Sequence, residues 1–128
     1  MQMGGDRCRV LVVDDHVDTL EGLAIVLRIQ GHEVETACDG RGAIETAKSF
    51  RPHVVLLDIS LPDLDGYAVA ERIRAELAGT RIHFVAVSGW DREDEKERAR
   101  EAGFDQHLTK PIDPVRLESL IASMCAAE

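Results

Sequence analysis

The chain switches repeatedly between two hydrophobic periods. Cys8-Arg9-Val10-Leu11-Val12-Val13 is a short apolar run that halts at Asp14-Asp15. Leu20, Leu23, Ala24 and Leu27 then recur at i, i+3, i+4 and i+7, the spacing that lines one face of a helix, and Gly31 ends it. Residues 33–38 alternate, with Val34, Thr36 and Cys38 on one side and Glu33 and Glu35 on the other. Glutamates on a strand suit a sheet edge, where charge discourages pairing with another molecule. The cycle repeats. Ala43, Ala47 and Phe50 mark a second helix, His53-Val54-Val55-Leu56-Leu57 a strand ending at Asp58, and Ala70, Ile73 and Leu77 a third helix. Residues 82–87 form a strand ending at Ser88, and residues 106–109 a short strand ending at Lys110. Leu117, Leu120, Ile121 and Met124 mark the last helix.

The strands near 8–13, 54–57 and 82–87 are apolar nearly throughout, as expected of parallel strands covered on both faces. Five strand-helix units in this length predict an α/β fold, a doubly wound parallel sheet whose right-handed crossovers place helices on both faces. The fourth helix falls in GWDREDEKERAREAG, residues 89–103. Asp91 is its expected N-cap, Asp94 follows three residues on, and the early acids favour the helix dipole. Its apolar positions are few, mainly Ala99 and Ala102, which predicts a weakly anchored, solvated helix.

Length and charge narrow the function classes. The 128 residues suit one domain, placed at 7–126, with residues 1–6 a flexible lead-in containing Gly4 and Gly5. With 45% hydrophobic and 30% charged residues, a disordered or collagen-like chain is excluded. A formal net charge of −9 argues against direct binding to nucleic acid or to an anionic membrane. No apolar run approaches the roughly 18–20 residues of a membrane span, and the first ten residues lack the apolar core of an export signal, so a cytoplasmic location is expected. Cys8, Cys38 and Cys125 are scattered and odd in number, which predicts buried free thiols rather than a disulfide or a zinc site. The histidines at 16, 32, 53, 83 and 107 show no zinc-ligand spacing.

In open α/β sheets, ligands sit beyond the carboxyl ends of the strands. Here those ends carry Asp14 and Asp15, Asp58, Ser88 and Lys110. Two unit charges about 4 Å apart interact by roughly 4 kcal/mol at an effective dielectric near 20. Three carboxylates in one pocket must therefore be neutralised by protons or by a cation. Oxygen ligands with few protein contacts suit Mg²⁺, with Mn²⁺ as a substitute, and Lys110 adds a fixed positive charge. A hard dication, a lysine and a hydroxyl donor together suit a transferring phosphoryl group, for which an Asp carboxylate can be the covalent acceptor.

The pattern VLVVDDH, VVLLDISLPDLDG, VAVSG and LTKP resembles the receiver domain of two-component response regulators over about residues 8–125. The resemblance implies a flavodoxin-like (βα)₅ fold with sheet order 2-1-3-4-5. It implies phosphorylation of Asp58 by a histidine kinase or a histidine phosphotransfer protein. Asp14, Asp15, Asp58 and the main-chain carbonyl of Ser60 would hold Mg²⁺. Ser88 and Lys110 would bind phosphoryl oxygens, the Lys110–Pro111 peptide would be cis, and Pro62 and Gly66 would shape the loop after Asp58. An unknown downstream protein would dock on the fourth helix, fifth strand and fifth helix. Ser60 and Trp90 occupy positions that tune the phosphoryl lifetime in the family, and Trp90 is expected either to limit entry of water or to pack on the fourth helix without a kinetic role. The position of His107 usually carries Phe or Tyr in the family, so an imidazole there is expected either to fill the same slot or to make signalling pH-sensitive.

Two other readings compete. A phosphohydrolase with a nucleophilic Asp usually has a second Asp two residues on, where this chain has Ser60. An inert receiver-like module usually lacks one of the five site positions, all present here. The expectation is a phosphoacceptor that catalyses only its own phosphorylation and dephosphorylation.

Overall fold

Valine- and leucine-rich segments favour extended backbone when both faces are covered. In the computed structural model, which describes residues 7–89 and 93–126, such segments form strands β1 (Arg9–Val13), β3 (Val54–Asp58) and β4 (His83–Ser88), and the more polar β2 (Glu33–Ala37) and β5 (Gln106–Thr109) lie at the two sheet edges. Between and after them run helices α1 (Val17–Ile29), α2 (Gly40–Phe50), α3 (Gly66–Glu76), α4 (Glu93–Glu101) and α5 (Pro114–Ala126). The strands pair in parallel in the order β2-β1-β3-β4-β5, the predicted α/β architecture. The expectations for residues 1–6, Trp90 and the Asp91 cap fall outside the described residues.

Strand alternation divides the core in two. Leu11, Val13, Val55, Leu57 and Phe84 pack with Ala43, Ile44, Val69, Ile73 and Ala99 of α2, α3 and α4. Val10, Val12, Leu56 and Val85 pack with Leu20, Ala24 and Leu27 of α1 and Leu117, Ile121 and Met124 of α5. β2 is the edge strand expected, with Glu33 and Glu35 exposed. Its alternation ends early. Ala37 is buried and Cys38 is exposed, because the strand stops at Ala37 and the chain turns into α2. Ala99 is the one buried residue of α4, which matches a helix with little apolar anchorage.

Several side chains fix where the elements end. Asp39 accepts the Gly42 N–H, and Asp63, from the loop after β3, accepts the N–H groups of Gly40 and Arg41. The Gly40 N–H is the main cause that holds the exposed Asp63 carboxyl below its ordinary pKa, with Arg41 and Leu64 adding to it against some desolvation. A depressed carboxylate contributes stability above its unfolded pKa and loses it as pH falls through the folded value, so this cap weakens only in acid. Asp65 caps α3 through the N–H groups of Tyr67 and Ala68. Arg9 of β1 donates from Nε to the carbonyls of Phe50 and Arg51 at the end of α2.

The cysteine expectation is corrected. Cys8 and Cys125 are joined by a disulfide that ties the residue before β1 to the last turn of α5, with Cα atoms 5.8 Å apart. Cys38, expected to be buried, is exposed. Spacing gave no hint of this pairing, since 117 residues separate partners that only the crossovers bring together. His32 lies beside this disulfide. A ring nitrogen of His32 and the two bonded sulfurs lie within 4.8 Å of one another. His32 and His53 flank the start of β1, and their Nδ1 atoms accept the N–H groups of Cys8 and Arg9.

Two glycines make opposite predictions for one chemical change. A Cβ on Gly66 would lie 2.5 Å from the Ile59 Cα and 3.1 Å from the Asp58 carbonyl oxygen, whereas a Cβ on the exposed Gly22 of α1 would meet nothing within 4 Å. Gly66→Ala is expected to cost about 1–3 kcal/mol by overpacking. Gly22→Ala is expected to gain about 0.5–1 kcal/mol from helix propensity. Urea unfolding of both variants checks the signs.

Candidate functional site

The parallel register decides which side chains meet. Val13 pairs with Ala37 and Leu57, Asp58 pairs with Val87, and Ser88 pairs with Thr109. Residues one step past these pairs, Asp14 and Lys110, therefore emerge beside Asp58 and Ser88 at one rim of the sheet. Asp14 and Asp58 are almost fully buried, at 2% and 3% exposure, while Asp15 points outward.

The Lys110 ammonium bridges the two buried acids. Its Nζ lies 3.0 Å from Asp14 Oδ2 and 3.0 Å from Asp58 Oδ2. The other oxygens accept backbone N–H groups, Asp58 Oδ1 from Ser60 at 2.8 Å and Asp14 Oδ1 from His16 at 2.8 Å. Those bonds hold each carboxylate in one orientation. Burial pulls the Lys110 pKa down, but hydrogen bonds and charge from Asp58 and Asp14 outweigh it, and the net shift is upward. A raised lysine contributes stability fully below its unfolded pKa and loses it as pH rises through the folded value, so this clasp holds at neutral pH and fails in strong alkali.

The charges do not balance. At an effective dielectric near 20, each ion pair at 3.0 Å is worth about 5 kcal/mol, and each pair of carboxylates within 4.8 Å costs about 3 kcal/mol or more. Asp14, Asp15 and Asp58 against one lysine leave −3 + 1 = −2. One oxygen from each of the three, together with a ring nitrogen of His16, falls within 4.8 Å of the others. Hard oxygen donors with a surplus of two negative charges fit Mg²⁺ or Mn²⁺.

His16 is the site residue that sequence reasoning missed. Its Nδ1 lies 3.2 Å from Asp14 Oδ1 and 3.3 Å from Asp15 Oδ1. The available signal was its place directly after the acid pair, at the start of α1. Ser88 is buried, and its hydroxyl shares a 3.0 Å hydrogen bond with His107 Nε2 across the β4–β5 pair. Ser60 is exposed at the mouth, and the Lys110–Pro111 peptide is cis. Trp90, expected near the same mouth, lies outside the described residues. A cleft of about 350 Å³ beside Asp58 is lined by Ile59, Ser60, Asp65, Tyr67 and α4 residues that include Arg98. The Arg98 guanidinium stacks 4.4 Å over the Tyr67 ring.

A five-stranded parallel sheet with a lysine-bridged acid cluster at its carboxyl rim defines a receiver-type domain. The family model for the response regulator receiver domain matches residues 10–122, and the chain belongs to that family. An uncharacterized 14.6 kDa protein of Leptolyngbya boryana is 31% identical over 118 residues, covering 92% of this chain and 90% of that protein. The transcriptional regulatory protein PrrA of Mycobacterium tuberculosis is 40% identical over 112 residues, covering 88% of this chain and 47% of PrrA. The chain thus spans about half the length of that relative. Among solved structures, a CheY-like receiver domain from Methylobacillus flagellatus is 31% identical, with a TM-score of 0.81 over 91% of this chain and 97% of that one. The BeF3-activated DrrB receiver domain is 26% identical, with a TM-score of 0.82 over 92% of this chain and 97% of that one.

Removing the lysine tests the electrostatic account. Lys110→Met leaves two buried carboxylates facing each other without their shared cation. The expected cost is about 3 kcal/mol, and urea denaturation beside the natural chain measures it.

Proposed function

We propose that this chain is a phosphorylation-controlled signalling switch whose phosphoacceptor is Asp58. The observation that carries this reading is the Lys110 ammonium held 3.0 Å from Asp58 Oδ2, beside a surplus of two negative charges. An Asp58 oxygen attacks the phosphorus of a phosphohistidine, the P–N bond breaks, and the imidazole of the donor leaves. The donor is a histidine kinase or a histidine phosphotransfer protein. Asp14, Asp15, Asp58 and the main-chain carbonyl of Ser60 are the groups that would hold Mg²⁺. The ion, when bound, neutralises charge on the transferring group. Lys110 then pairs with a phosphoryl oxygen and Ser88 donates to another. The chain performs only its own phosphorylation and dephosphorylation, and it works in the cytoplasm as the 7–126 domain.

The output runs through His107. The Ser88 hydroxyl is hydrogen-bonded to that ring. Recruitment of the Ser88 hydroxyl to the phosphoryl group breaks or re-forms this bond and moves the ring at the α4–β5–α5 face, where a downstream protein docks. Ser60 and Trp90 set how long the phosphoryl group lasts, Trp90 by screening water from it.

The direct test is incubation with a small acyl phosphate and Mg²⁺. A mass gain of one phosphoryl group is expected for the natural chain and none for Asp58→Asn. Turnover of an external phosphate ester would instead support a hydrolase, and no reaction at all would support an inert module. Partner affinity of the phosphorylated chain is expected to change between pH 6 and 8 and to lose that change in His107→Tyr. The groove around His107 also carries Lys96, Asp105, Asp113 and Arg116, so the two profiles are compared at one ionic strength. Matching profiles would remove histidine from the switch.

A further inference from the structure

At the sheet rim opposite Asp58, a second chemical group stands apart from the phosphoacceptor site. Cys8 precedes β1, the strand next to the edge strand β2, and Cys125 lies in the last turn of α5, one residue before the helix ends at Ala126. Both are about 5% exposed, their sulfurs are bonded, and the Cα separation of 5.8 Å suits a bond that forms without moving the backbone. His32, 8% exposed, supplies a ring nitrogen within 4.8 Å of both sulfurs, and its Nδ1 accepts the Cys8 N–H. A buried cysteine pair alone would be inert packing. A pair with an imidazole in reach is chemically different, because a nearby imidazole takes the thiol proton and leaves the thiolate, the form that reacts.

We propose that Cys8 and Cys125 form a reversible thiol-redox modification site, with low-molecular-weight disulfides and thiols of the glutathione class as its reactants. In the oxidising direction, one cysteine thiolate attacks a sulfur of the small disulfide and expels one small thiolate. A mixed disulfide results. The second cysteine thiolate attacks the protein sulfur of that mixed disulfide, closes the Cys8–Cys125 bond and expels the second small thiolate. Two protein thiols are oxidised, one small disulfide is reduced to two thiols, and the protons pass by way of His32 to solvent. Access comes at the end of α5, since terminal helical turns open more readily than core strands.

The same three side chains raise a rival, a soft divalent cation held by two sulfurs and an imidazole. The structure favours the redox reading. The sulfurs are already joined to each other, and that bond uses the electrons that a cation would need.

The consequence lies in α5. That helix begins at Pro114, four residues after Lys110, and its far end is stapled to β1 only while the sulfurs are bonded. Oxidation therefore closes a loop with partners 117 residues apart and fixes the last turn of a helix that borders the output face. Reduction releases that turn while leaving the acid cluster at the opposite rim untouched.

The test uses the full chain carrying Cys38→Ser, which removes the exposed thiol. Protein equilibrated in buffers of graded glutathione to glutathione-disulfide ratio is quenched with a maleimide under denaturing conditions and weighed intact. The expected result is a passage from two adducts to none across the series, with a cross-linked peptide joining Cys8 to Cys125. The oxidised form is expected to melt about 10 °C higher than the reduced form, and Cys125→Ser in the same background should lose that difference. His32→Leu is expected to slow closure by about tenfold or more. Two adducts in every buffer, or none in every buffer, would overturn the proposal. Uptake of one Zn²⁺ per reduced chain, abolished by His32→Leu, would overturn it in favour of a metal site.

Discussion

Two buried carboxylates that share a pocket in a folded protein must be neutralised, by protons or by a positive group between them. Here that group is the Lys110 ammonium, 3.0 Å from each of Asp14 and Asp58. It requires β1, β3 and β5 to end at one rim, because the three side chains come from strands separated by long stretches of sequence. Parallel pairing with helical crossovers places the three strand ends together here. The apolar interior of the sheet and the polar rim are therefore two sides of one arrangement. Leu11, Val13, Leu57 and their neighbours bury the strands, and the strand ends deliver charge where the apolar residues stop.

The loop after β3 shows how local chemistry serves the site. Asp63 reaches back to hold the start of α2, Asp65 starts α3, and Gly66 lets the chain pass within contact distance of Ile59. These three residues immobilise the segment that follows Asp58, so Ser60 can direct its N–H at the Asp58 carboxylate. Lys110 has its own anchor, a backbone N–H bonded to the Ser88 carbonyl at 2.8 Å. The site is thus built on backbone held from several directions, while α4 beside it buries Ala99 and stacks Arg98 on Tyr67.

Much of this was legible in the sequence. Hydrophobic period marked the strands and four of the helices, the early acids marked α4, and the glutamates marked the edge position of β2. The acids, serine and lysine stood at strand ends, and strand ends of a parallel sheet converge, so their meeting followed from topology. What was not legible depended on contacts without a local signature. His16 became a neighbour of both acids only through the turn from β1 into α1. Cys8 and Cys125 paired through the crossing of α5 over the start of β1, which periodicity cannot register to a single residue. Cys38 fell outside because the strand ended one residue earlier than its alternation suggested. The roles of His32 and His53 as acceptors for β1 amides had no spacing motif either.

The central claim is that the rim carries a surplus of negative charge shaped for one hard dication. Calorimetric titration of Mg²⁺ into the full chain, beside the Asp14→Asn variant, tests it most directly. The account predicts one ion per natural chain and an affinity at least about tenfold weaker in the variant, the equivalent of about 1.4 kcal/mol. Equal affinities, or no binding by the natural chain, would contradict it.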